Sequence, residues 1–143
     1  MANIDTSDLD GFARDLLRMA NDELPKESKK FLRKEATKLR KKTLNKAKSL
    51  TNKKTGNYYK GIKKGKVYHY RDKKNNSIRV YGGSPHAHLI EYGHRQVSKN
   101  GVESGFTPGK HVFEKAKNEF QSEYNSDCEK FISDVVVEGL SKW

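Results

Sequence analysis

Four side chains able to hold a metal crowd into nine residues, His86-x-His88-x-x-Glu91-x-x-His94. Imidazole nitrogens and carboxylate oxygens are zinc donors. A zinc site needs three or four of them converging at about 2.0–2.2 Å, with further partners that orient them. On a helix, three-residue steps bring His88, Glu91 and His94 to one face and turn His86 elsewhere. With a basic helix to hold substrate, such a set would make a small metal-dependent nuclease. The spacing lacks the His-Glu-x-x-His order of zinc proteases, so the four read first as exposed or interfacial polar groups. No metal ligand and no cofactor is assigned.

Other candidate chemistry is thinner still. Cys128 sits in a helical stripe between Asp127 and Glu129, whose charges disfavour a thiolate. Ser84 precedes Pro85 and His86, but no orienting acid or elbow motif accompanies it. Gly61-x-x-x-Gly65-Lys66 has the wrong spacing for a phosphate-binding loop and no strand before it. No catalytic residue is assigned, and the chain reads as non-enzymatic.

Charge carries more. Residues 26–66 hold 17 Lys or Arg against two acids, Glu27 and Glu35. Residues 1–25 hold six acids against two Arg, and 111–143 hold seven acids against four Lys. A basic middle between acidic ends suits a polyanion, or the acidic faces of a partner or neighbouring subunit. Such a helix neutralises phosphates without reading sequence, and Tyr58, Tyr59, Tyr68 and Tyr70 add stacking surfaces beside it. No nucleic-acid-binding motif is present. Nonspecific proximity to DNA, or a basic DNA-binding protein that does no chemistry, is the alternative this face keeps open.

The elements that carry these residues must fit a modest core. In a chain of 143 residues, 33% are hydrophobic and 34% charged. Ordinary domains have about 45–50% and about 25%, so the body is small and its helices heavily solvated. One domain over 1–143 is expected. Cys128 is the single cysteine, which fits a reducing compartment, and no apolar stretch reaches the length of a membrane span. The N-terminus shows no signal-peptide pattern.

Leu9, Phe12, Leu16 and Leu17 recur at helical spacing, so residues 1–24 hold a short amphipathic helix, interrupted at Leu24-Pro25. Residues 25–56 form a long basic helix with one narrow apolar stripe: Phe31, Leu32, Ala36, Leu39, Thr43, Ala47 and Leu50. Gly56 is the natural left-handed stop. Residues 57–109 are β-rich. Val67 to Arg71 and Ile78 to Tyr81 make an antiparallel hairpin, and His86 to Tyr92 about two helical turns closed by Gly93. The exposed stretch 95–106 contains Asn100-Gly101, a strong turn signal, and is a second hairpin or an arm. Residues 110–143 carry the last helix, with a stripe from Val112 and Phe113 to Val136. The order implies an α+β fold: a small antiparallel sheet of hairpins packed with a long basic N-terminal helix and a long C-terminal helix.

The ordered set Thr55-Gly56, then Glu91-Tyr92-Gly93, then Pro108 with Phe113 and Ala116, resembles the gene-product-ten-like family of lambdoid phages, small proteins of the head–tail junction. The resemblance spans about residues 25–120. Two positions depart from it: His94 follows Gly93 where Thr is frequent, and Val112 precedes Phe113 where Pro is common.

The resemblance implies a structural protein with no active site, a head–tail joining or tail-completion component at the neck. Its partners would be other neck, portal-connector and tail proteins and further copies of itself in a ring. It would be found in the virion at the head–tail junction, and in the host cytoplasm during assembly. Thr55, Gly56, Glu91, Tyr92, Gly93, Pro108 and Phe113 then serve the fold, with Tyr92 a core tyrosine beside a turn glycine. The candidate docking surface is Lys34, Lys38, Lys41, Lys42 and Lys46, with Lys99 and Asn100 on the exposed loop. The acidic C-terminal helix is expected to meet the basic region of the next subunit.

Overall fold

The computed structural model describes residues 7–51, 56–69 and 76–141. Helix α1 (Ser7–Arg18), a π-helical turn (Met19–Glu23) and helix α2 (Leu24–Leu50) follow without a break, a rod of roughly 65 Å at 1.5 Å per residue. The expected interruption at Leu24-Pro25 is absent. The Leu24 N–H bonds to the Met19 carbonyl five residues back, so the ladder has already widened where Pro25 brings its ring and lacks a donor. Pro25 then stands in the first turn of α2, where proline is tolerated.

α2 stops at Thr51, which is extended (φ −126°) and gives its N–H to the Ala47 carbonyl at 2.9 Å. Gly56 is left-handed (φ 81°) as expected, but it opens the short helix α3 (Asn57–Lys60) rather than closing α2. Thr55 lies outside the described residues.

Strands β1 (Ile62–Lys64) and β4 (Val80–Gly82) pair antiparallel, with Ile62 opposite Gly82; β2 (Tyr68–His69) pairs with β3 (Asn76–Ser77), with Tyr68 opposite Ser77. The two ladders succeed one another along a single bent hairpin. The expected hairpin is therefore longer at its base than 67–71 against 78–81, because Val80 and Tyr81 pair with Lys64 and Lys63.

Helix α4 (Ala87–Tyr92) ends at Gly93, whose φ of 86° requires glycine. Strands β5 (Gly93–Val97) and β6 (Glu103–Pro108) form the third ladder, with Arg95 opposite Phe106. Helix α5 (Val112–Ile132), a second π-helical turn (Ser133–Val137) and α6 (Glu138–Ser141) complete the chain. The architecture is α+β, as expected, with the antiparallel pairing among the described residues divided into three two-stranded ladders.

α2 and α5 pack antiparallel, and small residues let them approach: Ala36, Thr43 and Ala47 on α2, Val112 and Ala116 on α5, all at most 4% exposed. The core centres on Ala47, Ile62 and Val112, with Leu50, Tyr59, Val80, Ile90 and Phe113 packed around them. β1 rides on α2, fixed by Arg40 Nε donating to the Ile62 carbonyl at 2.9 Å. At the far end of the helix pair Phe31 stacks on Phe131, ring centroids 4.6 Å apart. Met19 is buried against Gly139, where any side chain would collide with its methyl group.

Candidate assembly surfaces

Glu91 is the hub of the motif region. Its side chain is buried, and both carboxylate oxygens accept backbone N–H groups from the first turn of α5: Oε2 from Phe113 at 3.0 Å, Oε1 from Glu114 at 3.1 Å. Those donors have no partner inside their own helix, and the positive end of the helix dipole favours an anion there. Burying a carboxylate costs free energy unless such donors meet it, and here two do. The α4 backbone closes the same joint. Ile90 O accepts from Lys110 N at 2.7 Å and Glu91 O from His111 N at 3.2 Å. His111 is left-handed (φ 51°), which turns the chain into the helix.

The glycines at this joint leave no room for side chains. A Cβ at Gly93 would meet Phe106 Cζ at 2.8 Å, and one at Gly109 would meet the Tyr92 carbonyl carbon at 2.7 Å. Tyr92 corrects the expectation of a core tyrosine. It is 72% exposed while its neighbour Glu91 is buried. Phe113, half-buried against the core, and Pro108, at the end of β6, complete the region.

The four candidate metal ligands part company. Glu91 is occupied by the α5 backbone, and His86 and His94 border an apolar groove of about 690 Å³ with Tyr58, Leu89 and Ile90. Among the described residues, no three His, Cys, Asp or Glu side chains gather as a metal would require. Burial pushes the Tyr58 hydroxyl up to about 12, helped by the negative Glu91, so it stays protonated; among the described residues it meets no hydrogen-bond partner. Cys128 lies half-buried beside Tyr124, whose hydroxyl is raised by burial and by its hydrogen bond with Cys128.

The basic helix presents two faces of different character. Toward α5, three lysines four residues apart meet three acids four residues apart: Lys38 with Asp127 at 2.8 Å, Lys42 with Glu123 at 3.7 Å, Lys46 with Glu119 at 2.5 Å. The acidic C-terminal helix thus meets the basic helix of its own chain, where a neighbour's had been expected. Of the candidate docking residues, Lys38, Lys42 and Lys46 stand in this ladder, and Lys34, Lys41, Lys99 and Asn100 are exposed. Glu35, 3% exposed, sits behind the ladder 3.6 Å from Lys38. Burial and then Asp127 push its carboxyl up to about 7, outweighing Lys38. Its Oε2 meets no hydrogen-bond partner among the described residues.

On the other face, α2 and the β1–β2 arm of the hairpin enclose a cleft of about 380 Å³ lined by Lys29, Arg33, Lys64, Lys66, Val67 and His69. Lys64 donates to the Thr37 hydroxyl at 2.8 Å, and no carboxylate among the described residues pairs with any of the four cations. Arg79 lies beside it over the Tyr68 ring, 5.6 Å from its centroid. Reading the sequence singled out none of these cleft residues as a set. The one available signal was the density of cations in 60–66 following that of the helix.

The β5–β6 hairpin is the third surface. It projects from the joint with Val97, Val102 and Phe106 each at least 60% exposed. The Asn100-Gly101 turn is formed, Gly101 at φ 77° with its N–H on the Ser98 carbonyl. Gln96 braces Thr107 across the strands at 2.8 Å, and Arg95 faces Glu103 at 3.8 Å. At the other end of the molecule, Leu9, Leu16 and Leu17 of α1 are also exposed, and no described helix is long and apolar enough to cross a membrane.

No curated protein matches the chain. No solved structure matches it either. One family model does, over residues 10–93, from α1 through the glycine that ends α4. With more than half its length matched and the Glu91-Tyr92-Gly93 joint closing the matched region, the chain belongs to the bacteriophage HK97-gp10-like family of phage tail components.

Proposed function

We propose that this protein is a non-enzymatic head–tail joining or tail-completion component of a tailed phage, acting as one subunit of a ring at the neck between portal-connector and tail proteins. The observation that carries this reading is the β5–β6 arm. It sets Val97, Val102 and Phe106 in solvent on a two-stranded hairpin that is joined to α4 at its base. A pair of strands with both edges open and apolar side chains in solvent gains stability when a partner covers it. Projecting from a rigid helical body, the arm reaches a neighbour, and a head-to-tail contact of this kind closes into a ring when its rotation permits. The exposed Lys34 and Lys41 on α2, and Lys99 and Asn100 at the arm's tip, offer polar contacts to neighbouring proteins.

The test is deletion of the gene in its phage or prophage, with induced particles viewed by electron microscopy. Separate DNA-filled heads and free tails are the expected outcome. Val97→Ser with Phe106→Ser should reproduce that defect while the purified variant keeps the helical content of the parent. Normal infectious particles from the deletion strain would overturn the reading.

A further inference from the structure

We propose that the cleft between α2 and the β1–β2 arm of the hairpin is a binding site for the phosphate backbone of duplex DNA, engaged through Lys29, Arg33, Lys64 and Lys66. The two faces of one helix carry the argument. Where the lysines of α2 serve the fold, each has an acid from α5 opposite it. In the cleft, two cations from α2 and two from the β1 region are held around one concavity, and no described carboxylate answers them. Like charges gathered this way repel, and the arrangement persists because the core beneath holds it: Arg40 ties the β1 backbone to α2, and Ile62 is fully buried. A polyanion would relieve that repulsion and release its own counterions on binding.

The lining narrows the class of ligand. Among the described residues, apart from Val67 and Gly65 the lining is four cations and His69, whose imidazole is the one ring there, with no amide side chain. Contact with phosphates therefore has four instruments against a single ring that could stack, and Lys and Arg need no base edge to meet a phosphate. Sequence-blind binding to the outside of a duplex follows. A second source of negative charge is the acidic α1 of another copy, which carries Asp10 and Asp15; the experiment separates it from DNA. The inference stands apart from the ring at the neck, since its test reads DNA binding by the purified chain.

The full-length protein is titrated against a short labelled duplex by fluorescence anisotropy from about 50 to 200 mM salt, over which four phosphate contacts predict a roughly 100-fold loss of affinity. The combined variant Lys29→Glu, Arg33→Glu, Lys64→Glu, Lys66→Glu should bind at least tenfold more weakly at low salt. Its log–log salt slope should fall by about 3 to 4. Lys48→Glu, Lys115→Glu, Lys117→Glu and Lys130→Glu together make the same change of net charge at exposed sites elsewhere, and should keep most of the affinity and slope. Circular dichroism establishes that both variants fold. The set Lys29→Arg, Lys64→Arg, Lys66→Arg retains the charge and should retain binding if the cleft acts through it. No binding by the parent at about 50 mM salt overturns the proposal. So does an equal loss in both charge-reversed variants, which would mean net charge alone. Unchanged DNA affinity with loss of self-association in the cleft variant also overturns it, and assigns the cleft to the acidic helix of a neighbouring copy.

Discussion

Helix α2 carries basic residues on both of its flanks, yet the flanks differ in what surrounds the charge. On the α5 side, lysines are spaced to face acids, and small residues beneath them bring the helices together. On the β1 side, lysines face lysines across a cleft. The difference teaches that a lysine-rich helix is not one surface. Charge built into an interface is matched residue by residue, whereas charge left for an outside partner is gathered and unanswered.

The largest expected effect removes the floor that both flanks share. Ile62 is fully buried with Ala47 and Val112, so Ile62→Ala should cost about 2–5 kcal/mol in urea unfolding. DNA affinity should fall further than stability alone accounts for, because β1 forms one wall of the cleft. Weakened stability with full DNA binding would separate the cleft from the core.

Glu91→Ala comes next and should act on the matched flank alone. It strips the acceptors from the Phe113 and Glu114 N–H groups, at about 2–3 kcal/mol. Hydrogen exchange should quicken in the first turn of α5, leaving β1 unchanged. A loss below about 0.5 kcal/mol would mean that water replaces the cap.

Glu35→Gln probes pH. Folded, Glu35 keeps its proton to about 7, against an ordinary value of 4.5. Between those values the unfolded chain ionises first, so the native state loses stability as pH rises through that window and has lost it fully above. Glutamine removes that loss. The variant should match the parent near pH 4 and be more stable above pH 7, by on the order of 1–3 kcal/mol. Asp127 moves the opposite way: hydrogen bonding to Lys38 holds its carboxyl low, so its contribution disappears only as pH falls below the ordinary aspartate range. A variant with the parent's pH profile would show that Glu35 is ionised in the fold.

The smallest effect is the most direct comparison. Lys46→Gln should lower stability and Lys66→Gln should raise it, each by a few tenths of a kcal/mol at low salt. Both changes should vanish at high salt, where such charges are screened. Changes of the same sign would erase the distinction between the flanks.

The helices were legible because their stripes recur every three or four residues; α2 ends at Leu50, where the apolar stripe from Phe31 ends. Pro25 misled because a proline reads as a break unless the turn before it is known to be widened. β1 was missed because Ile62-Lys63-Lys64 shows a single apolar position, and a strand pattern needs at least two. The arm was marked by Asn100-Gly101, whose local chemistry suffices for a turn. Glu91 was read as a motif residue and a possible ligand, but its role was hidden. Its partners are backbone N–H groups 22 and 23 positions away, and backbone donors leave no trace in a sequence. The cleft was hidden for a related reason. Each cation reads alone as a solvated side chain, and only the docking of β1 on α2 makes them neighbours.

The joint at Glu91 also has a mechanical meaning. One residue caps α5 with its carboxylate and holds the chain leaving β6 with its carbonyl, while glycines press the root of the arm against the same point. The arm and the helix pair therefore share a fulcrum without a hinge. A push at the tip of the hairpin becomes a torque on α5 and, through the rungs to α2, on the whole rod.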